Sequence, residues 1–298
     1  MIRIADEVRE TLDGGAPVVA LETTIVAHGF PAPEGVEVGL ACDRAIREAG
    51  ALPATIGVLD GEIVVGLTSD ELARFDGSAR KLGPRDIAAC VIQGAVGATT
   101  VGGTVAVAAR TGISYMATGG LGGVHRGYPV PPDVSADLPA LAAAPVCVVS
   151  SGVKSLLDVP ATAELLETLG VPVIGFRTDT MPLFYTALGG PPVSARAETA
   201  EEAARISGAH FELERGGLLV VRPPDESLDD VEPLIADALG EAAAQGVRGQ
   251  GVTPFVLARL HKRSEGRTLR ANRDLVVANA RLAAEIAVAG SAARRAAR

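Results

Sequence analysis

Apolar residues in this chain fall into short β-branched runs separated by stretches with helical spacing. The runs Pro17–Leu21, Ala54–Leu59, Glu62–Gly66, Ile113–Ala117, Pro145–Ser150, Val171–Phe176 and Leu218–Val221 predict strands. Between them, Glu34–Ala49 predicts a helix that stops at Gly50, and Thr68–Phe75 opens with Thr68-x-x-Glu71, a reciprocal capping pattern. Pro84–Gln93 begins with proline in its first turn, and Pro160–Leu169 follows Asp158 and stops at Gly170. Asp60-Gly61 between two apolar runs predicts a tight hairpin. This alternation points to an α/β fold, a mostly parallel sheet flanked by helices in an α/β/α arrangement. Past Leu218 the pattern is helical only, over Leu228–Gln245, Thr253–Lys262 and Leu269–Val288. It predicts a helical C-terminal segment, a cap, with residues 291–298 as a frayed, low-complexity tail. No repeat or long linker interrupts the chain, so residues 1–298 read as a single domain, with possible division into two lobes.

Composition narrows the partners. A formal charge of −9 argues against a nucleic-acid polymer, because neutralising phosphates requires an excess of Lys and Arg. A small anion is compatible, since a basic pocket can sit inside an acidic protein. Cys42, Cys90 and Cys147 are too sparse for a disulfide framework or a zinc site and suit a reducing compartment. The N-terminal residues lack the order of a signal peptide, and no apolar run approaches the ~20 residues that span a bilayer. A cytoplasmic location away from membranes is the expectation.

Five segments carry candidate chemistry. Thr118–Gly127 holds five glycines with His125 and Arg126 and follows a predicted strand, where α/β proteins place ligands. It matches neither a dinucleotide fingerprint nor a triphosphate loop; a structural turn is the alternative. Pro131–Leu138 sets Asp133, Ser135 and Asp137 before a helix-like run. These residues suit a helix cap equally with a phosphate or hard-cation site. Lys154 follows the apolar strand ending near Ser150. Most lysines are solvated, yet one desolvated at a strand end can attack a carbonyl as the free amine. Glu22 ends another strand, as either a hydrogen-bonded structural carboxylate or a proton donor. Lys81 and Arg85 occupy one loop, as a solvated turn or a phosphate clamp. His28, His125, His210 and His261 are scattered, and no HExxH is present.

Together these segments resemble the pseudouridine-5′-phosphate glycosidases, also called the indigoidine synthase A-like family. The matching strings are Leu21-Glu-Thr-Thr-Ile25 with His28-Gly-Phe-Pro31, Lys81 ahead of Arg85-Asp86, Gly97-Ala-Thr-Thr-Val101, and Ala117 through Gly127. They continue with Asp133-Val-Ser-Ala-Asp137-Leu138, Lys154-Ser-Leu-Leu-Asp158, Gly175-Phe-Arg-Thr178, Thr253 through Arg259, and Asn272, Leu275-Val276 and Asn279-Ala280. They occur in family order. Gly35, Gly102-Gly103, Ser150–Val153 and Ala278 depart from the family pattern without removing a proposed catalytic group.

The resemblance implies reversible conversion of pseudouridine 5′-phosphate and water to ribose 5-phosphate and uracil, a manganese-type divalent cation, and a homotrimer. It implies Glu22 as proton donor, Lys154 as nucleophile and Asp133 as metal ligand. Lys81, Val101 and Ser135, Ala136 and Asp137 would contact the substrate, with Asn279 at the uracil edge and Thr118 and His125 beside them. The link to be broken is carbon–carbon, so the two-carboxylate scheme of ordinary glycosidases does not suffice. An imine between Lys154 and C1′ of the ring-opened ribose would accept the bond electrons while Glu22 protonates uracil C5. The alternatives are another lysine-imine lyase of the aldolase kind acting on a sugar phosphate, and a non-catalytic sugar-phosphate-binding protein.

Overall fold

The computed structural model describes residues 1–127, 133–213, 216–228 and 230–296. Its strands are β1 (Ile2–Ile4), β2 (Val18–Glu22), β3 (Leu52–Leu59), β4 (Glu62–Val65), β5 (Arg80–Leu82), β6 (Gly97–Thr99) and β7 (Tyr115–Ala117). They continue with β8 (Val124–His125), β9 (Cys147–Ser150), β10 (Leu157–Asp158), β11 (Val173–Phe176), β12 (Ala195–Ala197) and β13 (Leu218–Val221). Eleven of them form one sheet in the order β1-β4-β3-β2-β7-β9-β13-β11-β12, with β6 branching from β3 and β5 pairing with β6. Along the main path every pairing is parallel except the β3–β4 hairpin. β8 and β10 form a separate antiparallel ribbon.

All residues of β2, β3, β9 and β13 are buried. That is why these strands read as continuous apolar runs: a parallel sheet covered on both faces leaves no solvent side to alternate with. The predicted strands and the Asp60-Gly61 turn are all present, and the Thr68–Glu71 capping box is formed. The sequence reading did not include β1, β5, β6 and β12, three-residue strands too short to show a period. It also missed the helices Asp6–Asp13, Val101–Arg110 and Ala200–Leu213. In Val101–Arg110 two glycines fall in the first turn. They are tolerated because the helix starts on a side-chain cap, with Thr100 Oγ1 accepting from the Gly103 amide at 3.2 Å.

The helical C-terminal segment is present as Glu232–Ala244, Val252–Arg263 and Arg267–Ala296, and only the expected tail differs. Its last helix runs unbroken over Arg267–Ala296 and packs on β2, β7 and β9 and on the helices Glu34–Glu48 and Ala200–Leu213. Ser291 is fully buried, so the chain is helical rather than frayed through Ala296. The same helix corrects the expectation that no segment is apolar enough to span a bilayer. An 18-residue stretch within Arg267–Arg295 passes that test, with a mean hydropathy of 1.4, but 61% of that stretch is buried inside the protein. The apolar stripe faces the sheet, as in a core helix.

Candidate active site

Glu22, Thr118 and Lys154 converge because β2, β7 and β9 are neighbours and parallel, so their C-terminal ends lie side by side. Glu22 is the last residue of β2, Thr118 follows β7, and Lys154 follows β9 after a three-residue turn. The Glu22 carboxyl is 4% exposed and accepts a hydrogen bond from Thr118 Oγ1. Burial pushes its pKa up to about 7, although the Lys154 charge and the Thr118 hydroxyl pull it down. A carboxyl near neutrality can hold a proton at working pH and deliver it.

The turn bearing Lys154 is held by its amide donating to Leu121 O (3.1 Å) and its carbonyl accepting from Leu157 N (3.0 Å). Arg126 braces the same turn, donating to Ser155 O at 2.8 Å and to the Glu232 carboxylate at 2.6 Å. Lys81, on β5, is partly buried in the same cavity. Burial, then the positive charge of Lys154, lowers its pKa. Two cations in one recess suit a doubly charged phosphate ester.

The glycine-rich segment wraps one side of the site and is fixed from below by Asp137. One Asp137 oxygen accepts from Gly102 N at 2.8 Å and the other from Gly122 N at 2.9 Å. Gly122 has no room for a side chain: a Cβ there would stand 2.4 Å from Ser135 Oγ and 2.6 Å from Asp137 Oδ2. Ser135 Oγ accepts from the Asp137 amide at 3.2 Å, so the capping role coexists with a place in the cavity wall. His125 Nδ1 lies 3.8 Å from Asp133 Oδ2. Burial lowers the His125 pKa, and the Asp133 charge opposes that.

The cavity has two lobes sharing Glu22, Thr24, Lys81, Lys154 and Thr253. One lobe is largely apolar, with Phe30, Leu156, Phe184, Leu257 and Val276 around one amide, Asn272. The other lobe is more polar, lined by Arg85, Thr100, His125, Asp133, Ser135 and Asp137. The acid and both lysines therefore stand where an apolar chamber meets an anion-suited one.

Of the residues singled out in the sequence, Glu22, Lys81, Thr118, His125, Asp133, Ser135, Ala136, Asp137 and Lys154 line this cavity. Val101 and Asn279 are not among its lining residues. Val101 is buried at the start of its helix. Asn279 is fully buried behind the glycine segment, where Nδ2 donates to Thr118 O (2.8 Å), Gly119 O (3.3 Å) and Ser151 Oγ (3.2 Å). Sequence reasoning assigns no site role to Phe184, Leu257 or Asn272, which line the cavity. Asn272, Val276 and Asn279 lie at i, i+4 and i+7 on one helix, a spacing that could have placed them on a common stripe. Phe184 sits in an aperiodic segment and carried no such signal.

Residues 7–289 match the family model described as indigoidine synthase A like protein. The chain is 47% identical over 296 residues to the pseudouridine-5′-phosphate glycosidase of Myxococcus xanthus, covering 97% of this chain and 98% of the relative. Identity to that of Streptomyces griseus is 48%, over 98% and 93%. Among solved structures, the prealnumycin C-glycosynthase AlnA in complex with ribulose 5-phosphate superposes with a TM-score of 0.90. It has 38% identity and covers 100% of this chain and 99% of its own. An indigoidine synthase A-like protein of Thermotoga maritima gives 0.87, at 39% identity over 98% and 97%. The chain belongs to the indigoidine synthase A-like family.

Proposed function

We propose that this enzyme reversibly cleaves the carbon–carbon glycosidic bond of pseudouridine 5′-phosphate, giving ribose 5-phosphate and uracil. The observation that carries the reading is the placement of Glu22, Lys81 and Lys154 between an apolar lobe and a polar lobe suited to a phosphate. Its curated relatives with pseudouridine-5′-phosphate glycosidase names support it, as does a structural neighbour solved with ribulose 5-phosphate.

The reaction proceeds by exchange of bonds at C1′. Lys154 Nζ bonds to C1′ as the C1′–O4′ bond opens, and the proton that Nζ then sheds passes to O4′. The C1′–C5 bond then breaks with its electron pair going to C5, which takes the proton of Glu22, while the nitrogen lone pair forms the C1′=Nζ imine. Water adds to the imine carbon, Nζ departs, and the free aldehyde recloses as ribose 5-phosphate. Lys81 and Arg85 hold the phosphate; Asn272 faces the base.

Among the described residues no three His, Cys, Asp or Glu side chains cluster closely enough to hold a metal by themselves. Asp133, with His125 beside it at the mouth of the polar lobe, fits a hard cation such as Mn²⁺ that keeps most of its waters. When bound, that cation would offset phosphate charge. We place the enzyme in the cytoplasm as a homotrimer, a reading supported by three buried, unpaired cysteines for the compartment and by family resemblance for the assembly.

Two measurements test the reading. Uracil release from pseudouridine 5′-phosphate is followed by absorbance, and borohydride with ribose 5-phosphate is expected to fix an adduct on Lys154 that vanishes in Lys154→Ala. An adduct on Lys81 instead would exchange the roles of the two lysines.

A further inference from the structure

Phe184 has a backbone conformation that a phenylalanine adopts only under constraint. Its φ is +67°, and the Tyr185 amide donates to Leu183 O at 2.8 Å across it. Positive φ with an i to i+2 hydrogen bond is the rarer and strained form of γ-turn. A bulky residue there is a true outlier, and such outliers concentrate at functional sites. The turn is over-determined by its surroundings. Leu183 N donates to Thr186 O at 2.9 Å, Leu228 N donates to Tyr185 O at 2.8 Å, and Leu183 bridges to Gly152, two residues before Lys154. Tyr185 packs edge-on against the Phe184 ring, with centroids 4.7 Å apart.

The constraint places the ring next to the nucleophile. A Cβ on Gly120 would lie 2.6 Å and 2.7 Å from two ring carbons of Phe184 and 3.4 Å from Cγ of Lys154. The missing side chain at Gly120 thus makes room for both the phenyl ring and the lysine stem, and Phe184 lines the apolar lobe along with Asn272. Asn272 offers amide groups that suit the polar edge of a base, while a phenyl ring offers a flat face and no hydrogen bond.

From this juxtaposition we propose that Phe184 is a specificity-determining residue: its ring is the wall against which a planar heteroaromatic base lies as its bond to the lysine-bound sugar forms or breaks. The inference rests on the reaction proposed above and specifies how the base is chosen. It explains why a strained turn is maintained at a position where glycine or asparagine would sit without penalty. It also assigns the two halves of the substrate to separate walls, so their affinities should respond separately.

The test uses the synthetic direction, uracil plus ribose 5-phosphate, with the full-length enzyme. In Phe184→Leu and Phe184→Met, borohydride trapping with ribose 5-phosphate still labels Lys154, which reports a folded site. The KM for uracil rises by about tenfold or more, the loss expected for a base–aromatic stack, while the KM for ribose 5-phosphate moves by less than about twofold. Phe184→Tyr restores uracil KM to within about threefold of wild type, since it keeps the face. In the wild type itself, 5,6-dihydrouracil, with the same edge groups on a puckered ring, competes at least about tenfold more weakly than uracil binds. Equal competition by the puckered analogue, parallel rises in both KM values, or an unchanged uracil KM in the non-aromatic variants would each overturn the assignment. Wild-type enzyme that joins no uracil to ribose 5-phosphate removes the parent reaction, and this inference with it.

Discussion

The Thr118 hydroxyl donates to the Glu22 carboxylate across the ends of two adjacent parallel strands, β7 and β2. The carboxyl is therefore both sheltered, which favours its protonated form, and hydrogen-bonded from outside, which favours its ionised form. The balance near neutrality lets one group hold and release a proton within a catalytic cycle.

Thr118→Val keeps the shape and removes the donor. Glu22, pushed up to about 7 by burial, then loses one of the influences that hold it down. Cleavage needs the protonated acid, so the rate falls as pH rises through the Glu22 pKa. In the variant that alkaline limb moves to higher pH. A profile of kcat/KM against pH reads it, and an unmoved limb excludes Glu22 as the donor.

Glu22→Gln tests the stability side of the same burial. The folded pKa of about 7 lies above the ordinary 4.5, so the wild type is most favoured below the lower value and loses stability as pH rises through the upper one. Glutamine has no proton to lose. Relative to wild type the variant should gain on the order of 3 kcal/mol between about pH 5 and about pH 8 in urea unfolding. A constant difference across that range would mean that Glu22 is not buried in its charged form.

Two asparagines on one helix should separate by measurement. Asn279→Ala strands the buried Thr118 carbonyl and Ser151 hydroxyl, and is expected to cost ~2 kcal/mol, seen as a lower Tm. Asn272→Ala, at the cavity wall, should leave Tm nearly unchanged and raise the KM for uracil. The reverse pattern would return Asn279 to the base edge that the family resemblance assigns it.

Chelation and readdition examine Asp133. Turnover is expected to fall with EDTA and to recover with Mn²⁺. In Asp133→Asn the half-saturating Mn²⁺ concentration should rise by at least about tenfold. A titration curve identical to wild type would move the cation to other ligands.

The sheet was legible in the sequence because its central strands are buried on both faces and so appear as unbroken apolar runs, as in Cys147–Ser150 and Leu218–Val221. β5 and β6 were not, since three residues carry no period, although β5 brings Lys81 to the site. Glu22 and Lys154 stood out as charges ending apolar strands, a local signal. Phe184 and Leu257 acquire their place only when a turn near residue 184 and the helix Val252–Arg263 close over the glycine segment. That relationship spans long stretches of chain and no periodicity encodes it. The residue expected at the base edge, Asn279, is buried behind that segment, while Asn272, two turns earlier on the same helix, reaches the cavity.

The final helix supplies both the cavity residues Asn272 and Val276 and the fastener Asn279. During synthesis the proton donor and the nucleophile leave the ribosome long before these three. A nascent chain thus displays its reactive amine without the pocket that disciplines it, and becomes competent only once the thirty-residue helix Arg267–Ala296 has docked across the sheet.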